Sequence, residues 1–182
     1  GIVILGTGSC GLAVIGGRRV TVGGYGAEVS DEAGGHRLGR EALRRALWAF
    51  DGRAETTALS TAILKRFEWD PAKIVCFAAR ANPADYAEFA PLVFEYAAAK
   101  DSLAVAIVQE AAEAATCIIE RLKDVGCPTI SLVGGLAEPL TKWLPTHVRR
   151  LLSAARSDPL DGAILMARRA FFRLESLTLR AG

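Results

Sequence analysis

Thr7 and Ser9 stand between glycines in Gly6-Thr7-Gly8-Ser9, directly after the apolar run Ile2-Val3-Ile4-Leu5. A strand that bends through such residues can turn backbone N–H groups and hydroxyls outward together, which is the donor set a phosphate needs. The same residues also make an ordinary tight turn, and on residues alone both readings stand. Asp31 and Glu32 follow a glycine-dense stretch, Gly23-Gly24-Tyr25-Gly26. Carboxylates there could accept hydrogen bonds from the hydroxyl or ammonium groups of a ligand. Asp31 could equally cap the helix that follows. Gly134 and Gly135 end an apolar run, a place where nucleotides commonly meet the carboxyl end of a sheet.

Gly6-Thr7-Gly8-Ser9-Cys10-Gly11 is a literal G-x-G-x-x-G. A dinucleotide site needs its third glycine to open a long helix. Only Leu12-Ala13-Val14-Ile15 intervenes before Gly16-Gly17, which suits a strand. Glu28 lies at about the distance expected for a ribose-binding acid, ~20 residues on, but in a loop rather than after a second parallel strand. A dinucleotide fold is therefore not expected.

His36 could be imagined as a general base, but no nucleophile accompanies it, and a solvated or helix-start role is expected. Trp48, Trp69 and Trp143 read as core or surface anchors. The four cysteines, Cys10, Cys76, Cys117 and Cys127, form no C-x-x-C pair and read as free thiols, so no metal site is expected.

These residues need a framework. Residues 2–5, 12–15 and 19–22 read as three antiparallel strands, with Gly16-Gly17 as a hairpin turn. Helices are expected from Leu38 to Phe50, over 55–66, from Pro83 with Asn82 as its cap, and over 101–125. The last carries the stripe Leu103, Ile107, Ala111, Ala114, Ile118 and Leu122. Ile74-Val75-Cys76-Phe77 could be strand or buried helix. A strand over 129–133 enters Gly134-Gly135, and a final helix is expected from Pro159 through Ile164, Met166 and Ala167 to Phe171. The sum is α/β with a mixed sheet and a helical layer.

The 182 residues suit one domain, and 51% hydrophobic content is enough for a core. With 22 basic and 20 acidic residues, charge gives no case for nucleic acid or an anionic membrane. Arg44-Arg45, Arg149-Arg150 and Arg168-Arg169 read as solvated faces. No stretch reads as a membrane span or signal peptide, and a cytoplasmic setting is expected. The sequence opens at Gly1 on a strand, which suggests a processed chain or a segment of a longer protein.

Together the motifs resemble a known family. Gly6-Thr7-Gly8-Ser9 resembles the second phosphate motif of the superfamily of sugar kinases, heat-shock chaperones and actin. Gly23-Gly24-Tyr25-Gly26, followed by Ser30-Asp31-Glu32-Ala33-Gly34, is similar to the GGWG…GDEGS signature of N-acetylglucosamine and glucosamine kinases, which group with the BadF/BadG-type ATPases. Leu38-Gly39-Arg40-Glu41-Ala42-Leu43 is similar to the helix after that signature. Leu132 to Ala137 resembles the adenosine motif, and Asp161-Gly162-Ala163 the C-terminal helix. Tyr25 replaces the usual Trp, and residues 27–31 differ from the commoner forms.

The resemblance implies an RNase H-like (actin-like ATPase) fold, with ATP in a cleft between two lobes and residues 1–182 as the C-terminal lobe. The N-terminal lobe would carry the first phosphate loop, the Mg2+-linked Asp and the catalytic base. Thr7, Gly8 and Ser9 would bind the β- and γ-phosphates. Gly24, Tyr25, Asp31 and Glu32 would face an amino sugar, and Gly134 and Gly135 the adenosine. ATP and Mg2+ are the implied cofactors. The N-terminal lobe is the implied partner, and a homodimer is left open. Another member of the same fold, an ATPase activator with a cysteine-held cluster or a sugar-sensing binding protein, is the rival reading. The scattered cysteines favour the kinase.

Overall fold

A computed structural model describes residues 1–155, 157 and 160–168. Three strands open it: β1 (Ile2–Leu5), β2 (Ser9–Ile15) and β3 (Arg18–Gly23). Both antiparallel pairings follow from the chain: the bend at 6–8 joins β1 to β2, and Gly16-Gly17 joins β2 to β3. Gly16 and Gly17 have φ of 54° and 81°, the left-handed pair that a two-residue hairpin with native twist requires. β4 (Ser131–Val133) lies parallel to β1, so the sheet order is β3-β2-β1-β4. β2 begins at Ser9, three residues earlier than the alternating pattern suggests, because Leu5 pairs with Ser9 straight across the bend. β4 begins at Ser131 rather than at 129.

Eight helices with defined bounds are described. They are α1 (Gly35–Phe50), α2 (Ala58–Arg66), α3 (Pro71–Ala78), α4 (Pro83–Ala87), α5 (Ala90–Ala98), α6 (Ser102–Asp124), α7 (Ala137–Thr141) and α8 (Thr146–Arg149). Residues 160–168 are also helical; Pro159, Arg169 and Phe171 lie outside the described residues. Asp101 caps α6 by accepting from Ala104 N at 3.0 Å. Asn82 and Asp85 form a reciprocal capping box on α4.

α6 lies against β1, β2 and β3 and is flanked by α1 and α5. It therefore buries more than one stripe: Ala104, Val108, Ala112, Ala115 and Ile119 join Ile107, Ala111, Ile118 and Leu122, while Leu103 and Ala114 are only partly buried. Gly11 lets α6 approach. A Cβ there would lie 2.6 Å from Ile118 Cγ2. The third glycine of the G-x-G-x-x-G thus sits mid-strand under a helix and opens none. Contrary to the sequence reading, α6 at 23 residues is long and apolar enough to cross a membrane by length and composition. Its buried face instead forms the centre of this core.

The Arg44-Arg45 pair is also not simply solvated. Glu41, with its side chain 4% exposed, pairs with Arg37, Arg44 and Arg45. Arg45 continues to Glu110 at 2.5 and 2.7 Å, linking α1 to α6. Arg149 and Arg150 are exposed as expected.

Candidate functional site

The bend after β1 is held by its acceptors. Gly35 N donates to Gly6 O at 2.8 Å and His36 N donates to Thr7 O at 3.0 Å. These are orphan N–H groups of the first turn of α1, and the bend supplies the carbonyls they need. Within the bend, Gly6 N donates to Gly8 O at 2.9 Å. The N–H groups of Thr7 and Gly8 have no acceptor among the described residues, and Thr7 is exposed. That is a donor pair suited to an anion.

Ser9, grouped with Thr7 and Gly8 by the sequence reading, is placed differently. It is 3% exposed, and its Oγ accepts from Ala33 N at 3.2 Å.

Asp31 lies directly beside the bend. Its Oδ2 is 2.5 Å from where a Cβ on Gly8 would be. Its backbone has φ 63°, a left-handed conformation that Asp tolerates better than most residues and that accumulates at functional positions. It does not cap α1; Gly34 holds the N-cap position without a side-chain bond. Gly24 stacks on the other side of the strand end, its Cβ position 2.6 Å from Cys10 Cβ. Tyr25 is 75% exposed beside it, an aromatic face open to solvent.

On the far side of β1, the turn after β4 closes on the same strand end. Leu136 N donates to Leu5 O at 3.0 Å. Gly134 crosses so near the Leu5 carbonyl that any side chain would overlap it, and its φ is 103°. Gly135 is exposed with open space around it. The structure thus places Thr7, Gly8, Asp31, Gly134 and Gly135 around the carboxyl end of β1, with Gly24 two strands across, just after β3.

Glu32 stands apart from that group. It is exposed and lines a cavity of about 240 Å³ between α1 and α6, with Arg37, Leu38, Glu41, Ile107, Glu110 and Ala111.

Two residues gain significance that their sequence context did not reveal. Cys10, read as an incidental thiol, lies under Gly24 and near Asp31; burial first, and the Asp31 charge second, push its pKa up. His36 does start a helix but is not solvated. It is 3% exposed, its Nδ1 has no partner, and its ring meets Tyr86 edge-on at 5.5 Å. Burial lowers its pKa, with Arg40 and Arg37 adding to that and Glu28 and Asp31 opposing it. Neither could be found from spacing, because both depend on the segments at 24–31 and 86 folding back onto the bend.

The sequence signature of the BadF/BadG/BcrA/BcrD ATPase family matches residues 2–167. The chain belongs to that family. A glucosamine kinase from Vibrio cholerae is 32% identical over 166 residues, which is 91% of this chain and 56% of that protein. The crystal structure of a protein provisionally described as an N-acetylglucosamine kinase, from Chromobacterium violaceum, matches with a TM-score of 0.84 and 38% identity, over 90% of this chain and 57% of that one. This BadF/BadG-type chain thus has the actin-like ATPase architecture, an α/β fold with a mixed sheet, and spans a little over half the length of both relatives.

Proposed function

We propose that this chain forms part of an ATP-dependent amino-sugar kinase, supplying one wall of the nucleotide site and part of the sugar site. The observation that carries the reading is the bend at 6–8: the first turn of α1 occupies the Gly6 and Thr7 carbonyls, Gly6 N occupies the Gly8 carbonyl, and the N–H groups of Thr7 and Gly8 have no acceptor among the described residues. Its family membership and the kinases it is similar to support the same reading.

Bound ATP would supply the transferable phosphoryl group. Phosphoryl transfer asks the protein mainly for alignment and for donors where charge spreads over phosphate oxygens. The N–H groups of Thr7 and Gly8 and the Thr7 hydroxyl provide such donors. Gly134 and Gly135 would let the adenosine come close to the main chain. Asp31 would accept hydrogen bonds from the sugar beside the phosphates, and Tyr25 would offer a ring face to it. Glu32 would contribute at the edge of its own cavity. Ser9 would act from beneath the bend.

No three His, Cys, Asp or Glu side chains converge as metal ligands among the described residues. Mg2+ would arrive with ATP and take protein ligands from an N-terminal lobe, which would also hold the catalytic base. The protein would work in the cytoplasm, with or without dimerisation. Coupled ADP-release assays on the full-length protein with glucosamine, N-acetylglucosamine and glucose test this. Mg2+-dependent turnover is expected with an amino sugar and weakly or not at all with glucose; nucleotide hydrolysis indifferent to every sugar would overturn the kinase reading in favour of an ATPase activator.

A further inference from the structure

Three hydrogen bonds run side by side between the segments at 6–9 and 33–36. Ala33 N donates to Ser9 Oγ at 3.2 Å, Gly35 N to Gly6 O at 2.8 Å and His36 N to Thr7 O at 3.0 Å. Gly34, between them, fits so closely that a Cβ would lie 2.5 Å from Thr7 O and 2.7 Å from Gly8 Cα. Asp31 closes the arrangement: its carboxylate lies against Gly8, and its carbonyl accepts from Gly34 N at 2.9 Å. Neither segment can slide without the other, because each bond has its partner fixed in a strand, a helix turn or a close contact.

Two of the three ties are main chain to main chain and persist whatever the side chains are. The third is made by a side chain, and it is the only such tie between these segments among the described residues. The donor is a buried main-chain N–H, which is costly to leave unpaired.

We propose that Ser9 is a positioning residue that couples the two substrate sites. It latches the sugar-facing segment that carries Asp31 to the phosphate-facing bend that carries Thr7 and Gly8. Occupancy of one segment by its substrate then orders the other, so amino sugar and nucleotide bind with positive coupling. The inference rests on the kinase reading given above. Coupling of this kind is reciprocal, and common magnitudes correspond to about 5-fold or more in affinity.

The test measures binding of adenylyl imidodiphosphate with Mg2+ to the full-length protein, with and without saturating glucosamine. In the wild type, glucosamine is expected to lower the nucleotide Kd about fivefold or more. Ser9→Ala should reduce that ratio to less than about twofold, while Ser9→Thr, which keeps the acceptor, retains it. A merely structural role would change stability and leave the ratio unmoved. Amide exchange gives a second reading that needs no variant. Nucleotide alone should slow exchange at Ala33 in the wild type, although that N–H faces Ser9 and not the phosphates. A Ser9→Ala ratio equal to the wild type, a wild-type ratio of one, or unchanged Ala33 exchange in the nucleotide complex would overturn the coupling and leave the kinase reading intact. Failure of the wild type to bind the nucleotide at all would overturn both.

Discussion

Thr7 and Ser9 flank one glycine and face opposite ways. Thr7 is exposed at the apex of the bend, whereas Ser9 has entered β2 and turned its hydroxyl toward Ala33. Their substitutions should therefore differ in kind. Thr7→Ala removes one donor to a charged group, a loss of the order of 1.5 kcal/mol or more, so KM for ATP should rise about tenfold with little change for the sugar. Asp31→Asn should do the reverse, raising KM for the sugar while ATP is nearly unaffected. Steady-state kinetics with each substrate varied in turn separates the two, and equal effects on both substrates would argue against the assigned faces.

His36 makes a different kind of prediction. Its folded pKa is below the ordinary 6.5 because the buried ring is costly to charge. The unfolded chain therefore binds the proton more readily than the folded one. Stability from this group is complete above about pH 6.5 and is lost as pH falls through the window below it. Urea midpoints measured from pH 5 to 7.5 should decline toward acid in the wild type. His36→Phe, which keeps a ring edge for Tyr86, should flatten that decline; an unchanged slope would assign it to other groups.

At the scale of elements, the strand–helix contact under Gly11 is the most sensitive joint. Gly11→Val would drive a branched side chain into Ile118 and Leu122. Overpacking of this sort costs about 1–3 kcal/mol, visible as a lower urea midpoint with the secondary structure retained. Wild-type stability in that variant would mean that α6 can move off the sheet freely.

Much of this layer is legible in the chain because local signals agree with the tertiary result. Paired glycines fix the first hairpin, and Asp101 with Gly126 and Pro128 brackets α6. The ambiguous run Ile74 to Phe77 becomes helix α3 because Asp70 accepts from Ala72 N at 2.9 Å and Pro71 occupies the first turn. α2 starts three residues later than the pattern suggests, where Thr57 and Ser60 cap each other. α5 offers Pro91 in its first turn as its start signal, but Phe89, before it, keeps helical angles of −84° and −14° and has no side-chain cap, so the break from α4 is weakly marked. In the site, the bend and its glycines are visible as a motif. The inward turn of Ser9, the burial of His36 and the placing of Glu32 in another cavity are not, since contacts distant in sequence decide them.

For the molecule as a whole, the helical layer is tied within itself by the Glu41–Arg45–Glu110 chain, which joins α1 to α6. Glu41 has a side chain 4% exposed and Arg45 one 17% exposed, so neither is compensated fully by water. Glu41→Ala should cost about 1.5–3 kcal/mol, since Arg45 loses one charge-assisted hydrogen bond and keeps its pair with Glu110. The measurement is a denaturant titration, and because Glu41 lies away from the bend, any surviving folded enzyme should keep its KM for ATP. A selective rise in that KM would mean that the α1–α6 link also sets the site.

One property of the bend reaches beyond its geometry. Because helix entry ties down the oxygens of Gly6 and Thr7, an approaching anion meets the amide hydrogens of Thr7 and Gly8, with the Asp31 carboxylate beside Gly8 as an opposing charge. The charge preference of this bend is thus written into amide dipoles, which do not titrate, and depends less on lysines or arginines that salt could screen. Preference for a negative ligand should consequently outlast wholesale redesign of the lysines and arginines on the protein's exterior.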